Sequence, residues 1–331
     1  MLEHRIDGRI RIVRVRCWLC AVSTLYVSTY FSTYFASAAS PVTAIAFSPE
    51  HKHLLIGSQN GIEIRSWPSL EPQGQVSAGM DHVHDLKFAP GGRRFAVCGG
   101  EPSEAGIVEI YEWPSMRRFV RTSPHADVVY RVSWSSDGRR YATAGADGIC
   151  IVFDSENHRE VTRYVGHSRS VLALEYLKES NAIASAGADF TIQIWNPMSG
   201  THIRTLDNHV GSVNAIATRP DVARQTDASK SILASISEDR TVRIWQPEDG
   251  RLVRFGRLPS IPRAMSWTRD GSQLLIGCND GVLRIVNFAT CEVVRESPLG
   301  VGRIYEVTLC VETGSIAVGG QNGIQAAQLP E

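Results

Sequence analysis

Three sets of residues have the types needed for acyl transfer: a hydroxyl, an imidazole and a carboxylate. They are His125, Thr143 and Asp147; His167, Ser185 and Asp189; and His209, Ser235 and Asp239. In a hydrolase such a trio turns the hydroxyl into a nucleophile. The spacing argues for another role. The three histidines follow one another at intervals of 42 residues, and the first two sets place the aspartate 22 residues after its histidine. The third set needs 30, because eight residues are inserted around Asp221–Lys230. A nucleophilic site is built once, whereas a set that returns at a fixed interval marks a repeated structural unit. Other chemistry is thinly represented. His82-Val83-His84 puts two imidazoles on one face of a strand, and His51-Lys52-His53 sits in a turn, but neither pair has a third metal ligand. Cys17-Trp18-Leu19-Cys20 has no second pair for zinc and no following histidine for haem. No glycine-rich phosphate loop, His-Glu-x-x-His or Ser-x-Asp-x-Gly-x-x-Trp box occurs. The expectation is a protein without metal or cofactor.

The elements that position these residues follow from two further columns. Asn60, Gly106, Asp147, Asp189, Asp239, Asp280 and Asn322 stand at steps of 46, 41, 42, 50, 41 and 42. Phe47, Phe88, Trp134, Tyr176, Thr218, Trp267 and Leu309 run in parallel at 41, 46, 42, 42, 49 and 42. Together they divide the chain from residue 41 onward into seven units. In the fourth, the runs Val171–Tyr176, Ala182–Ala186, Thr191–Trp195 and Thr201–Leu206 are short and rich in β-branched or aromatic residues, so four strands are predicted. Asp137-Gly138 and Asp270-Gly271 predict tight turns between first and second strands. One four-stranded sheet cannot bury both faces alone, but seven in a ring can. The predicted fold is all-β: a single seven-bladed propeller of four-stranded antiparallel blades over residues 40–331.

The repeats resemble WD-repeat β-propeller blades. The residues that carry the likeness are Gly166-His167, Asp189 and Trp195-Asn196, then His209, Asp239 and Trp245-Gln246, with Phe153-Asp154 in the same place one unit earlier. The likeness extends from residue 41 to about 330. It implies a structural relay in which Asp accepts from the His ring, the His reaches a hydroxyl, and the hydroxyl accepts from Trp. That relay maps onto His167, Ser185, Asp189 and Trp195, and onto His209, Ser235, Asp239 and Trp245. His125, Thr143 and Asp147 supply part of it, since Phe153 has no indole N–H. The resemblance also implies two columns around the top opening. One is Thr43, His84, Tyr130, Leu172, Asn214, Arg263 and Tyr305; the other is Gln59, Ala105, Ala146, Ala188, Glu238, Asn279 and Gln321. The function implied is a non-catalytic, monomeric scaffold binding another protein, with His84, Tyr130, Arg263, Tyr305 and Glu238 as contact residues. The alternative is a hydrolase or lyase with its site in the channel, for which His84, Glu238 and Glu306 are the candidate set. Trp67-Pro68-Ser69 and Trp113-Pro114-Ser115 place their indoles one residue later than Trp195, and these are expected to cover an outer strand.

Charge and the N-terminus bear on location. The chain has 34 basic and 34 acidic side chains, so no broad basic face for nucleic acid is expected. Residues 17–36 are uncharged, follow an arginine-rich stretch and precede Ala36-Ser37-Ala38-Ala39. Residues 1–39 thus read as a signal peptide cleaved after Ala38 or Ala39, or as an N-terminal anchor. The expected location is periplasmic or secreted, in a bacterial-type protein; cytoplasmic or membrane-anchored location is the alternative. The resemblance implies that the last blade takes its outer strand from the N-terminus. If residues 1–38 are removed, that blade has three strands; if they are retained, Arg9-Ile10-Arg11-Ile12 is a candidate closing strand. Cys98, Cys150, Cys278 and Cys310 lie in apolar runs and read as buried thiols.

Overall fold

The second run of each unit is apolar without alternation, which suits a strand covered on both faces. Ala182–Gly187 and Ser315–Gly320 are buried at every position. Fourth runs are instead largely exposed, and Val293–Pro298 alternates between exposed and half-buried positions. The computed structural model describes residues 35–36, 40–177, 181–220 and 231–328. These form seven antiparallel sheets, six ordered as their strands follow in sequence and the seventh carrying an N-terminal strand on its outer edge. We number the blades 1 to 7: residues 44–76, 82–125, 129–164, 171–206, 213–257, 262–298 and 304–328. The predicted all-β, seven-bladed propeller is the observed fold.

The first strands line the axis. Ala44–Phe47, His82–Phe88, Val129–Trp134, Val171–Leu177, Val213–Thr218, Pro262–Trp267 and Ile304–Leu309 each touch the next, and the last touches the first. Seven hydrophobic clusters fill the seven junctions between neighbouring blades. The core is therefore a ring of equal parts rather than one centre. All five cysteines among the described residues are buried free thiols, Cys291 with the four expected.

The turns between first and second strands are longer than a two-residue hairpin. Residues 135–139 separate Trp134 from Arg140, with Gly138 at φ 68°. Asp137 accepts from the Ser135 hydroxyl at 2.7 Å and the Arg139 amide at 3.0 Å, closing the loop with its own side chain.

Blade 7 has three full strands, and its outer edge carries only the two-residue strand Phe35–Ala36, which pairs with Gln325 and Ile324. The closing strand therefore comes from this stretch. Arg9–Ile12, the pair Cys17/Cys20, the remaining leader and the insertion at Asp221–Lys230 lie outside the described residues. The seam between blades 7 and 1 is fastened further in as well. The Val42 amide donates to the Gly320 carbonyl at 3.0 Å. A Cβ on Gly319 would stand 2.5 Å from a Val42 methyl, so only glycine allows these blades to approach.

Candidate functional site: the channel mouth and the blade relays

In blade 4 the His167 ring meets Asp189 through Nδ1 at 2.8 Å and the Ser185 hydroxyl through Nε2 at 2.8 Å. The Trp195 indole donates to Ser185 at 3.1 Å. Blade 5 repeats the geometry: His209 lies 2.8 Å from Asp239 and 2.8 Å from Ser235, and Trp245 donates to Ser235 at 2.8 Å. In blade 3, His125 reaches Asp147 at 3.0 Å and Thr143 at 2.8 Å, and Phe153 donates nothing. One direction satisfies every donor. The indole N–H gives to the hydroxyl, the hydroxyl to Nε2, and Nδ1–H to the carboxylate. All three histidine side chains are 0% exposed, so none can meet a substrate. Burial alone would raise the Asp189 pKa. The hydrogen bonds from His167 and Thr191 outweigh it and hold the group down at about 2. Burial also keeps the His209 pKa below the usual imidazole range, against the pull of Asp239.

Strand register explains why blades 1 and 2 lack this relay. Ser185 pairs with Gln193, and Ile183 with Trp195. The matching pairs are Ile56 with Glu63 and Leu54 with Arg65 in blade 1, and Val97 with Glu109 and Phe95 with Tyr111 in blade 2. The hydroxyl has become a hydrocarbon, and the indole's place holds Arg65 or Tyr111. Trp67 and Trp113 lie two residues beyond, and neither covers an outer strand of its own blade by its indole N–H. Trp67 donates to Ser315 of blade 7 at 3.1 Å, and Trp113 to Glu50 of blade 1 at 3.2 Å. Trp134 and Trp267 likewise donate to backbone carbonyls of the preceding blade, at 3.1 Å and 3.0 Å.

At the axis, Thr43, His84, Tyr130, Leu172, Asn214, Arg263 and Tyr305 line one cavity of about 270 Å³, joined by Arg131. In six of the seven, the inner strand slips register at that residue, as between Val83 and Asp85 or Val129 and Arg131. A bulged residue pairs with nothing across the sheet, so its side chain is free to turn inward. One local irregularity, repeated, aims six side chains at the same space. His84 meets Tyr130 edge to face at 5.1 Å and stacks on His82 at 6.1 Å. Burial, with the positive charge of His82 and Arg131, pushes the His84 pKa down to about 4. Arg263 pairs with Glu238 at 3.1 Å and donates to Asn279 at 3.0 Å.

Beneath the mouth lies a layer of charges that the sequence columns do not reveal. Asp85 accepts from the Leu86 amide at 2.9 Å and the Val132 amide at 3.0 Å. Arg131 donates to the Leu172 carbonyl at 3.2 Å and faces Glu306 at 3.7 Å. Burial raises the Glu306 pKa, against the pull of Lys87 and Arg131. His84, Glu238 and Glu306 thus each face a different partner and form no joint acid–base set. The signal that could have found Arg131 is its place directly after the column residue Tyr130. Among the described residues, no three His, Cys, Asp or Glu side chains gather as a metal site.

Comparison with known proteins follows this geometry. The "WD domain, G-beta repeat" family matches residues 29–62, 117–154, 158–196 and 200–246, which include the relay residues of blades 3, 4 and 5. The pre-mRNA-processing factor 19 homolog 2 of Arabidopsis thaliana is 30% identical over 79 residues, 23% of this chain and 15% of that protein. Eukaryotic translation initiation factor 3 subunit I of Lodderomyces elongisporus is 25% identical over 164 residues, 50% of this chain and 43% of its own. Nuclear distribution protein PAC1 of Gibberella zeae is 37% identical over 113 residues, 33% of this chain and 24% of that protein. The chain thus spans less than half the length of each. All three relatives are eukaryotic and lend no support to the bacterial-type, exported origin expected from the leader. Relay, register and matched repeats converge: the chain is a seven-bladed propeller, and four stretches of it match the WD40 repeat.

Proposed function

We propose that this protein is a non-catalytic, monomeric scaffold that receives a partner protein at the channel mouth. The observation that carries this reading is the convergence of one residue from every blade on a single cavity. Those residues differ from blade to blade, as a recognition surface requires and a purely structural column does not. Two tyrosines and two arginines line it, the types that dominate binding energy at interfaces. Relatives that are named subunits or factors of larger processes support the same reading. The test is proximity labelling in the native host with the unaltered chain, a Tyr130→Ala/Tyr305→Ala variant and an outer-strand Ile203→Ala variant. Partners lost from the mouth variant but kept by the outer-strand variant support the reading. Identical profiles for all three would sink it.

We also propose export, on the uncharged run 17–36 and the small residues after it. Cleavage after Ala38 or Ala39 would remove Phe35–Ala36, the strand that pairs with Gln325 and Ile324. Cleavage and closure by that strand therefore exclude one another. N-terminal sequencing of the native protein, fraction by fraction, decides between them; a cytosolic protein with an intact N-terminus would end the proposal of export.

A further inference from the structure

We infer that the channel mouth receives an acidic side chain, aspartate or glutamate, from an extended segment of a partner protein, held between Arg131 and Arg263. The inference rests on the mouth being the partner surface and names the chemistry of what enters. Two arginines line the cavity, and no acid does. The acids nearby are Glu238, Glu306 and Asp85, with Asp127 close to Tyr130. Glu238 engages Arg263, Glu306 faces Arg131 from below, and Asp85 is occupied by two backbone amides.

Both guanidinium groups are held before any ligand arrives. Arg131 is tied to the Leu172 carbonyl through Nε, and Arg263 to Asn279 through Nε. At 3.7 Å the contact of Arg131 with Glu306 is longer than a hydrogen bond, so its terminal nitrogens keep capacity for a carboxylate. Blades 3 and 6, which carry the two arginines, lie on opposite sides of the ring. Tyr130 and Tyr305 also line the cavity, beside Thr43, His84, Leu172 and Asn214. A cavity of about 270 Å³ accommodates one or two side chains rather than a whole small molecule. A second, open groove of about 400 Å³ begins beside it, lined by Gln59, Asn60, Ser77, Asp81 and His82. The stacked rings of His82 and His84 join the two spaces. An extended segment leaving the mouth past these rings would meet the amide side chains of Gln59 and Asn60.

The test is selection of a random heptapeptide display library on the full chain. Fluorescence polarisation then follows three synthetic peptides: the best binder, a copy with its acid replaced by Gln or Asn, and a phosphoserine copy. The expected result is one shared acidic position. Its replacement weakens binding about tenfold or more, and Arg263→Gln costs the acidic peptide about as much while barely affecting the amide copy. Arg131→Gln should match it, and Arg263→Gln keeps the test valid should the more buried Arg131→Gln fail to fold. The His84 ring signal should titrate at higher pH with the acidic peptide bound. Binding that depends on Tyr130 but carries a basic or apolar anchor overturns the inference and leaves the mouth reading standing. Binding indifferent to Tyr130→Ala, or no selected peptide at all, overturns both. A phosphoserine copy more than tenfold tighter than the acidic peptide overturns carboxylate in favour of phosphate.

Discussion

Blades 4 and 5 bury a relay of hydrogen bonds that ends on a single carboxylate, where blades 2 and 6 bury a charge among charged partners. In blade 2, Glu109 is 0% exposed and accepts from Tyr111 at 2.7 Å, Arg118 at 2.7 Å and the Gly79 amide at 3.2 Å. In blade 6, Arg284 donates to Asp280 at 2.7 Å and to Glu296 at 2.8 Å. The two arrangements stiffen different parts of a blade. In blade 4, Asp189 ends the relay and also accepts from the Ser168 and Thr191 amides, so it pins the loops on either side. Glu109 instead ties the third strand to the outer strand through Arg118. The relay organises the loops at one end of a blade, and the charged pairs hold its outer edge. What decides between them is whether the second strand offers a hydroxyl, as at Ser185, or a hydrocarbon, as at Val97.

The largest expected effect is at Glu109. Glu109→Ala strands the Gly79 amide and the Tyr111 hydroxyl, and should cost about 3–5 kcal/mol in urea unfolding. A loss below that of a relay residue would break the contrast. Asp189→Ala leaves the His167 N–H and two loop amides without an acceptor and should cost about 2–3 kcal/mol. It should abolish no specific chemistry, and an unchanged melting temperature would refute the relay's structural role. Ser185→Ala removes one link from each of two partners and should cost about 1–2 kcal/mol, with strong coupling to His167→Ala in a double-mutant cycle. Additivity there would mean independent bonds rather than a chain. Acid should sharpen the comparison further. The Asp189 pKa falls on folding from 3.8 to about 2. Its contribution is therefore complete above about pH 4 and lost as pH falls towards 2. Asp189→Asn should flatten that part of the acid-unfolding curve. Trp67→Phe, which removes one hydrogen bond at the seam, should cost about 1 kcal/mol.

The seven units and their four strands were legible because strand periodicity and spacing are local in the sequence. The relay positions were legible for the same reason, since residue type and interval repeat together. The mouth column was legible by position, but its cause was not. A bulge is set by how two strands pair, and nothing in Val83-His84-Asp85 announces a slip of register. Arg131 was missed because it follows Tyr130 in what reads as ordinary alternation. The indoles of Trp67 and Trp113 were assigned to their own blades because cross-blade partners such as Ser315 lie far away in sequence. The short closing strand Phe35–Ala36 was hidden within a run that reads as a leader.

That closing strand has a consequence for synthesis. Phe35 and its partner Gln325 are 290 residues apart. A ribosome adding roughly 5–20 residues per second takes about 15–60 s to travel between them. Throughout that interval the first-made piece of the clasp has no counterpart, and blade 1 exposes the face that blade 7 will cover. The nascent chain therefore spends most of its production as an open arc with two sticky ends. Occupancy of that arc by chaperones should rise with each blade emerging and fall abruptly once Ser315 and Gln325 leave the exit tunnel.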